Sequence, residues 1–478
     1  MTGESHRCEV LVVGSGPGGA VTASTLAGAG RDVIALEEGP HLRLDSCAPF
    51  SVAEMVQKYR SGGLNPAMGA PKAPLVEGCC VGGGSEINSG LYHRTPPEML
   101  ALWRERYQVR HLETGDLLPH FEANESALSV QLNPGAPAPA AVKMKMGADR
   151  LGWRSLEVPR WFKYGEGVSP NGLAIGTRQS MTETLIPRAL ASGCRLLAGV
   201  RADRVARENG RWRVMAARDG APVIIDADAV FLCCGAIQTP ALLRRSGITT
   251  NVGNTLALHP TVKVVAVFDD ELNGDVPDVA AQQVKEFAPD ISMGCSISSL
   301  PYIALAMTDH PDAKIDVGRA WRGMSIYYAM ITGPTGGSVR NVPLSRAPIV
   351  RYPLEARHLR SLSKALRELC RLLFAAGATH LYPSISGFPV LRHEDELSRI
   401  PAELSRRSTN LMTIHMFSSC PMGEARDRCA TDSFGQVHGH RNLFVNDAGL
   451  LCTAPGVNPQ GSVMAIARRN AMQFLNSL

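Results

Sequence analysis

Six residues near the amino end of the chain have the spacing of a phosphate-binding turn. Residues 14–19 read Gly-Ser-Gly-Pro-Gly-Gly and match the pattern G-x-G-x-x-G. In that pattern Gly14 permits a tight turn, Gly16 lets a pyrophosphate approach the backbone, and Gly19 lets a helix pack closely on a strand. The phosphates would lie at the amino end of that helix, where backbone N–H groups are free. These residues predict a dinucleotide-binding site, with an ordinary glycine-rich turn as the alternative.

The sequence around the turn predicts the βαβ unit that would position it. Val10–Val13 is a short β-branched run, Ala20–Ala29 has the small residues of a closely packed helix, and Asp32–Leu36 predicts a second strand. Glu37 ends this strand and follows Gly14 by 23 residues, close to the ~20 expected of the acid that binds a ribose hydroxyl. Glu37 is therefore the predicted ribose contact.

The composition is ordinary for a soluble globular enzyme. A chain of 478 residues predicts two or three domains, and it is 45% hydrophobic and 19% charged. The net charge of +5 is not concentrated in any run of like charges, which argues against a nucleic-acid or membrane-surface partner. The excess of Arg over Lys, together with abundant Ala and Gly, suggests a high-GC bacterial gene.

The cysteines and the apolar runs indicate a cytoplasmic protein. The twelve Cys include no C-x-x-C pair, and zinc and iron–sulfur sites normally show that spacing, so we expect no metal. The amino end lacks the pattern of an export signal, and no apolar run approaches the ~20 residues that would span a bilayer. We therefore expect reduced, buried Cys.

Farther along the chain the apolar periodicity predicts alternating strands and helices. The clearest is an amphipathic helix at Leu359–Ala376, whose leucines recur at helical spacing and read as core packing. The other predicted elements are helices at Ser180–Ser192 and Pro240–Arg245, strands at Arg195–Val200, Ala229–Cys234, Val262–Phe268 and Ala347–Tyr352, and a hairpin formed by Arg211–Ala217 and Pro222–Ile225.

Four further segments give the sequence its resemblance to a known family. They are Val81–Arg94, Gly235–Ile248, His415–Gly423 and Pro455–Gln460, with Leu258-His259-Pro260 between them. With the glycine turn they resemble, in order and separation, the glucose-methanol-choline (GMC) oxidoreductases, flavoenzymes that oxidise alcohols. The resemblance implies an α/β fold: a Rossmann-like FAD-binding domain, similar to that of p-hydroxybenzoate hydroxylase, with an inserted α+β substrate domain built on an antiparallel sheet. The FAD domain would comprise residues 1–95, 172–260 and 405–478, and the substrate domain residues 96–171 and 261–404.

The resemblance also assigns site residues. His415 takes the position of the active-site His, and Asn458 takes the second active-site position, which holds His or Asn in the family. Ile87 stands where some members carry a His bonded to flavin, so the resemblance implies non-covalent FAD. His259 is interpreted as structural or cofactor-adjacent. The predicted cofactor-binding residues are Gly14, Gly16, Gly19, Glu37, Gly82, Gly83, Asn88, Val200, Asp447, Ala448, Pro459 and Gln460.

Three departures from the family pattern leave questions open. Ser418-Ser419 replace Gly-Thr, Thr249 replaces a Gly, and Glu86 stands where a small residue is usual. Glu86 could reach the pocket or only a neighbouring Arg. A structural role for His415 and a turn role for Asn458, which precedes a Pro, also remain alternatives.

The implied reaction is the oxidation of an alcohol CH–OH group to an aldehyde or ketone, with hydride transfer to flavin N5. Histidine has an unperturbed pKa of ~6.5, which suits it as the base that removes the hydroxyl proton. The expected substrate is a polar small-molecule alcohol such as a sugar, an aminosugar or a natural product, and the electron acceptor is oxygen or another carrier. The alternatives are a non-redox lyase of the same fold, similar to the FAD-containing hydroxynitrile lyases, and a nicotinamide dehydrogenase.

Overall fold

The structure is a computed structural model that describes residues 4–63, 65–71, 73–168, 174–274, 280–413 and 415–477. The helices are α1 (Pro17–Gly28), α2 (Val52–Lys58), α3 (Pro97–Tyr107), α4 (Thr114–Ala127), α5 (Pro139–Leu151), α6 (Leu185–Ala191), α7 (Gly235–Arg245), α8 (Leu300–Met307), α9 (Val317–Ala320), α10 (Ala356–Ala375) and α11 (Gln460–Asn476).

The strands belong to several sheets, most of them antiparallel. They are β1 (Glu4–Val13), β2 (Val33–Glu37), β3 (Asn65–Ala67), β4 (Ala73–Leu75), β5 (Val130–Gln131), β6 (Ser155–Glu157), β7 (Arg160–Val168), β8 (Ala174–Arg178), β9 (Arg195–Ala198), β10 (Arg201–Glu208), β11 (Arg211–Arg218), β12 (Ala221–Leu232), β13 (Leu256–Leu258), β14 (Thr261–Val267), β15 (Gln282–Val284), β16 (Ile291–Cys295), β17 (Met324–Ile331), β18 (Thr335–Arg340), β19 (Ile349–Arg351), β20 (His380–Pro383), β21 (Met416–Phe417) and β22 (Leu443–Val445).

The first sheet confirms the predicted α/β unit. Its strand order is β10-β11-β12-β1-β2-β9, and β22 pairs with β12. β1 is parallel to both β2 and β12, and α1 connects β1 to β2. Every residue of β2 is buried, as expected for a parallel strand covered on both faces. The glycine turn therefore lies at the carboxyl end of β1, beside β12 and β22, which come from distant parts of the chain.

The second sheet is antiparallel and forms the other wall of the molecule's main cleft. Its order is β20-β14-β17-β16-β15-β6. On β14, Val262 and Val264 are fully buried in the core that includes the leucines of α10. Because side chains alternate along a strand, Thr261 and Lys263 lie on the opposite face, and Lys263 lines the cleft. The predicted amphipathic helix is thus confirmed as α10, packed behind the cleft.

Several element bounds differ from the prediction. The helix predicted at Ser180–Ser192 begins only at Leu185, and Pro187 lies in its first turn, where a missing N–H breaks no hydrogen bond. The helix predicted to begin at Pro240 begins earlier, at Gly235, because Asp447 accepts a hydrogen bond from the backbone N–H of Gly235. The strand predicted at Ala347–Tyr352 is shorter, covering Ile349–Arg351.

The predicted domain boundaries stay a prediction. β6 pairs with β15, so the two segments assigned to the substrate domain share a sheet. The boundary between residues 171 and 172 lies outside the described residues, and the strands that flank it, β7 and β8, pair with each other. None of the helices in the described part of the chain combines the length and the apolar character needed to span a bilayer.

Candidate active site

The glycine turn is packed so closely that side chains are excluded from it. Gly14 has φ +102°, and a Cβ there would overlap the carbonyl oxygen of Cys233. A Cβ on Gly19 would overlap the carbonyl oxygen of Gly14, and one on Gly18 that of Asn446. These three glycines let α1 begin directly against the ends of β12 and β22. Gly16 differs, because a Cβ there would meet nothing closer than 4.0 Å and would point toward Gly83.

A second glycine stretch faces the turn. Gly83 has φ +52°, and a Cβ there would lie 2.9 Å from the Cα of Gly16. Gly82 also has a left-handed backbone conformation, and its N–H donates a hydrogen bond to the Ser15 hydroxyl at 3.2 Å. The two stretches thus lie in backbone contact and bear no side chains, so together they offer the cleft a surface of bare backbone suited to a pyrophosphate.

Glu37 holds the turn from the end of β2. Its carboxylate accepts hydrogen bonds from the Ser15 N–H at 3.0 Å, the Ser15 hydroxyl at 2.7 Å and the Gly39 N–H at 3.1 Å. Burial raises the pKa of Glu37. The side chain also lines the cleft, so a ribose contact remains a prediction while the contact with Ser15 is an observed one.

Glu86 points away from the cleft. It is 2% exposed, and its Oε1 accepts hydrogen bonds from the Thr182 N–H at 3.3 Å and the Thr182 hydroxyl at 3.0 Å. Arg178 donates to the backbone carbonyls of Glu86 and Asn88 rather than to the Glu86 carboxylate. Glu86 therefore supports the loop that carries Gly83 and Asn88 from behind.

Asp447 joins the carboxyl-terminal tail to the start of α7. Its Oδ2 accepts hydrogen bonds from the Gly235 N–H at 2.9 Å and the Thr239 hydroxyl at 2.6 Å, and its Oδ1 accepts one from the Gly449 N–H at 2.7 Å. Burial raises the pKa of Asp447. Its carboxylate thus satisfies the first N–H of α7, which explains the early start of that helix.

The serines that replace Gly-Thr lie behind the cleft. Ser418 has φ +60°, and its hydroxyl donates to the Cys452 carbonyl at 2.7 Å. The Ser419 hydroxyl is buried without a hydrogen-bond partner among the described residues. Neither serine lines the cleft.

The cleft between the two sheets has a volume of about 700 Å³. Most of the predicted site residues form its wall, whereas Gly19 and Gly82 lie behind it and act through packing. The predicted residues at the wall are Gly14, Gly16, Glu37, Gly83, Asn88, Val200, His415, Asp447, Ala448, Asn458, Pro459 and Gln460.

The wall has the features that a dinucleotide requires. α1 and α11 both begin at the cleft, so each directs free backbone N–H groups toward it. Asn88 Nδ2 donates to Gln460 Oε1 at 2.8 Å, which ties the second glycine loop to the start of α11. With the side-chain-free surface that Gly16 and Gly83 form together, these residues fit FAD.

His415 is paired with a second histidine. Its Nδ1 lies 3.0 Å from His259 Nδ1, and the rings are nearly perpendicular, at 82°. The backbone N–H of Gly456 donates to His259 Nε2 at 3.2 Å. Burial lowers the pKa of His415 to about 4. Burial, followed by the charges of His415 and Lys285, lowers the pKa of His259 well below its usual value.

Asn458 is held by a buried glutamine that the sequence did not indicate. Gln283 Nε2 donates to Asn458 Oδ1 and to the Tyr328 hydroxyl, both at 2.9 Å, and Gln283 Oε1 lies 3.1 Å from His93 Nε2. Gln283 is fully buried. Nearby, burial lowers the pKa of Lys285 to about 8. Because β15 reads Gln282-Gln283-Val284, no sequence pattern distinguished Gln283 from its neighbour.

Comparison with known proteins agrees with this fold. Two models of the GMC oxidoreductase family match residues 55–261 and 338–467. An uncharacterised GMC-type oxidoreductase of Sinorhizobium fredii is 38% identical over 98% of this chain and 95% of its own. A long-chain-alcohol oxidase of Arabidopsis thaliana is 25% identical over 99% of this chain and 68% of its own. The crystal structure of a pyridoxine 4-oxidase superposes with a TM-score of 0.76 at 18% identity, covering 98% of this chain and 99% of the other.

The chain therefore belongs to the GMC oxidoreductase family. It is an oxidoreductase with the mixed α/β fold of that family, and FAD is its cofactor.

Proposed function

We propose that this oxidoreductase converts a largely apolar alcohol to an aldehyde or ketone, with His415 and Asn458 in contact with the substrate oxygen. The observation that carries the proposal is the position of these two side chains. Both line the one cleft that has the FAD-compatible wall, and each is held from behind by a buried partner. Each also keeps one nitrogen without a hydrogen-bond partner among the described residues: His415 Nε2 and Asn458 Nδ2.

The chain's own groups would divide the work as follows. FAD, when bound, supplies the acceptor for the hydride that leaves the carbinol carbon. The hydroxyl proton passes to His415 Nε2 as the C=O bond forms, while Asn458 Nδ2 donates a hydrogen bond to the same oxygen. With a pKa of about 4, His415 is neutral at pH 7 and available as a base.

The charges on the wall favour an apolar substrate over the polar one expected from composition. Apart from His415, many residues of the cleft wall are apolar, including Met55, Ile87, Ile326 and Met412. The Lys263 ammonium has no hydrogen-bond or ion-pair partner among the described residues, and burial lowers the pKa of Lys263. The wall carboxylates, in contrast, are all engaged by Ser15, Arg60, Gln238 or the start of α7; they are Glu37, Glu38, Glu77 and Asp447.

An aminosugar would bring ammonium groups that find no free carboxylate on this wall, and burying unpaired charge is costly. A long-chain alcohol instead matches the apolar lining. The similarity to the long-chain-alcohol oxidase of Arabidopsis thaliana agrees with this choice.

Anaerobic visible spectra of the purified holoenzyme test the proposal. We expect n-alkanols such as octanol and decanol to bleach the flavin band, and glucose and glucosamine to leave it unchanged. Admitting air then shows whether oxygen restores the band. Bleaching by the sugars alone would refute the apolar substrate class. Failure of every alcohol to bleach the band would refute alcohol oxidation and favour the lyase.

A further inference from the structure

The backbone N–H of Gly456 determines where His259 carries its proton. An amide N–H can only donate, so His259 Nε2, 3.2 Å away, must accept. His259 is 1% exposed, and its lowered pKa keeps it neutral near pH 7. A neutral imidazole has one N–H, and in His259 that proton is therefore on Nδ1.

The same donor–acceptor argument determines where His415 carries its proton. His259 Nδ1–H points at His415 Nδ1, 3.0 Å away, so His415 Nδ1 must be the acceptor. The neutral His415 ring then carries its own proton on Nε2, the nitrogen that has no hydrogen-bond partner among the described residues, and His415 lines the cleft. Asn458 likewise has its oxygen occupied by Gln283 and offers its NH₂ group.

We propose that His259 is a positioning residue which, held by the Gly456 N–H, places the resting proton of His415 on Nε2. In this state the cleft presents two donors, His415 Nε2–H and Asn458 Nδ2–H, to one substrate oxygen. Such a pair is complementary to an oxygen that gains negative charge as the alcohol is oxidised.

The pair has a second arrangement, in which His415 can accept a proton. His415 Nδ1–H then donates to His259 Nδ1, and the His259 proton lies on Nε2, facing the Gly456 N–H. That arrangement frees His415 Nε2 to take the hydroxyl proton, but it leaves the Gly456 N–H without an acceptor. Between the two arrangements the proton shared by the two Nδ1 atoms shifts from His259 to His415, His415 Nε2 loses a proton and His259 Nε2 gains one, so each imidazole keeps one proton and the pair stays neutral. His259 and Gly456 thereby favour the arrangement in which His415 Nε2 is a donor over the one in which it can act as a base.

The groups that act electrostatically on the pair are few. Lys285 and His93 lie close enough to influence it, and burial keeps the pKa of His93 at about 3, so His93 stays neutral. The Phe417 ring packs against His259 with ring centres 5.0 Å apart. Of these groups, only Lys285, with a pKa of about 8, changes charge between pH 6 and 9.

Nitrogen-15 NMR of the holoenzyme with labelled histidine tests the proposal directly, because protonated and unprotonated ring nitrogens differ strongly in chemical shift. H415N and H259N identify the two residues' signals among the thirteen histidines. We expect His415 at pH 7 with Nε2 protonated and Nδ1 unprotonated, in at least about fivefold excess, because the other form leaves a buried N–H unpaired. Protonated Nδ1 on resting His415 would overturn the proposal.

Two variants distinguish a role of His259 in placing the His415 proton from a general role in folding. H259N keeps an amide that can donate to His415 Nδ1 but has no second ring nitrogen to accept from the Gly456 N–H, whereas H259L removes the donor altogether. We expect H259L to lose the excess of the Nε2–H form of His415 and H259N to keep a smaller excess than wild type, with flavin content reporting that both fold. Equal excess in H259L and wild type would also overturn the proposal.

The role of the two donors in catalysis rests on the proposed function, whereas the position of the proton on resting His415 is independent of it. Flavin bleaching by alkanols tests the function and nitrogen shifts test the tautomer, so either can fail alone.

Discussion

At the scale of single residues, the site depends on hydrogen bonds that leave one atom of each side chain available. His415 and Asn458 are both anchored through one polar atom, by His259 and Gln283 respectively. Holding the reacting groups in this way reduces the motion that would otherwise have to be frozen in the transition state. We therefore expect His259 and Gln283 to affect the rate of substrate oxidation through the two side chains that they hold.

Replacing His415 with Ala should lower the rate constant of flavin reduction by about 10²- to 10⁴-fold, the usual worth of a general base. Anaerobic stopped-flow spectroscopy measures that rate. H41A, which removes an exposed histidine, is the control and should reduce at the wild-type rate. A loss smaller than about tenfold in H415A would contradict the role of base.

The pH dependence of flavin reduction should reflect the depressed pKa of His415. A buried base with a pKa of about 4 stays unprotonated from pH 8 down to pH 5 and gains its proton only near pH 4. We therefore expect no loss of kcat/KM between pH 7 and pH 5.5, where an ordinary histidine would already lose activity. A fall centred near pH 6.5 would show that His415 is not the titrating base or is not buried. Any change near pH 8 would belong to Lys285.

Gln283→Leu should weaken substrate oxidation by freeing Asn458. The change also leaves the buried hydroxyl of Tyr328 without its donor, and an unpaired buried polar group costs about 1–3 kcal/mol, or about 5- to 150-fold. kcat/KM for an alkanol is the measurement. Gln282→Leu is the matched control, since the neighbouring side chain points to the other face of β15 and bonds Ser155. An unchanged kcat/KM in the Gln283 variant would rule out the anchoring role.

At the scale of elements, the cofactor wall is assembled from two loops and two helix ends. α1 and α11 begin at the cleft, and the loop of Gly82 and Gly83 closes over the turn that precedes α1. Sequence patterns predicted α1 and its turn well because all the determining residues lie within one βαβ unit. The start of α7 was predicted too late because its capping carboxylate, Asp447, comes from 212 residues away.

Gly83→Ala should weaken FAD binding. The added Cβ would lie 2.9 Å from Gly16 Cα and would need a φ of +52°, so the two glycine stretches must move apart. Fluorescence titration of the apoprotein with FAD should give a Kd about 5- to 150-fold higher, since strain of this kind costs about 1–3 kcal/mol. Gly115→Ala, at an exposed position with open space, should bind FAD like wild type. Equal Kd values would show that the contact between the two glycine stretches does not shape the cofactor site.

At the scale of the whole molecule, the two ends of the chain close one core. Asn446, near the carboxyl end, donates to the Thr22 hydroxyl of α1 at 2.8 Å and to the Ala467 carbonyl of α11 at 3.0 Å. Asn470 of α11 donates in turn to Asn446 Oδ1 at 2.9 Å. A cofactor held between these segments should therefore stabilise the fold as a whole.

We propose that FAD is bound without a covalent link, because Ile87 occupies the linking position of the family. Acid precipitation should release the yellow colour into the supernatant, and flavin retained in the pellet would contradict the proposal. Added FAD should also stabilise the apoprotein, by about 2.7 kcal/mol at a free concentration of 100 times Kd. Thermal unfolding with and without FAD measures this effect, and FMN is the control ligand because it lacks the adenosine half.

Local sequence patterns were enough to predict the features that depend on neighbouring residues. The βαβ unit with its glycine turn and the amphipathic α10 follow from patterns of side-chain size and polarity within short segments, and the resemblance of several short motifs indicated the family. Only the tertiary structure decided how the site residues are held. His259 meets His415 across 156 residues, Gln283 meets Asn458 across 175, and Asp447 meets Gly235 across 212. A hydrogen bond requires approach to about 3 Å in a defined direction, and that approach is set by how distant strands pair, which no local pattern encodes.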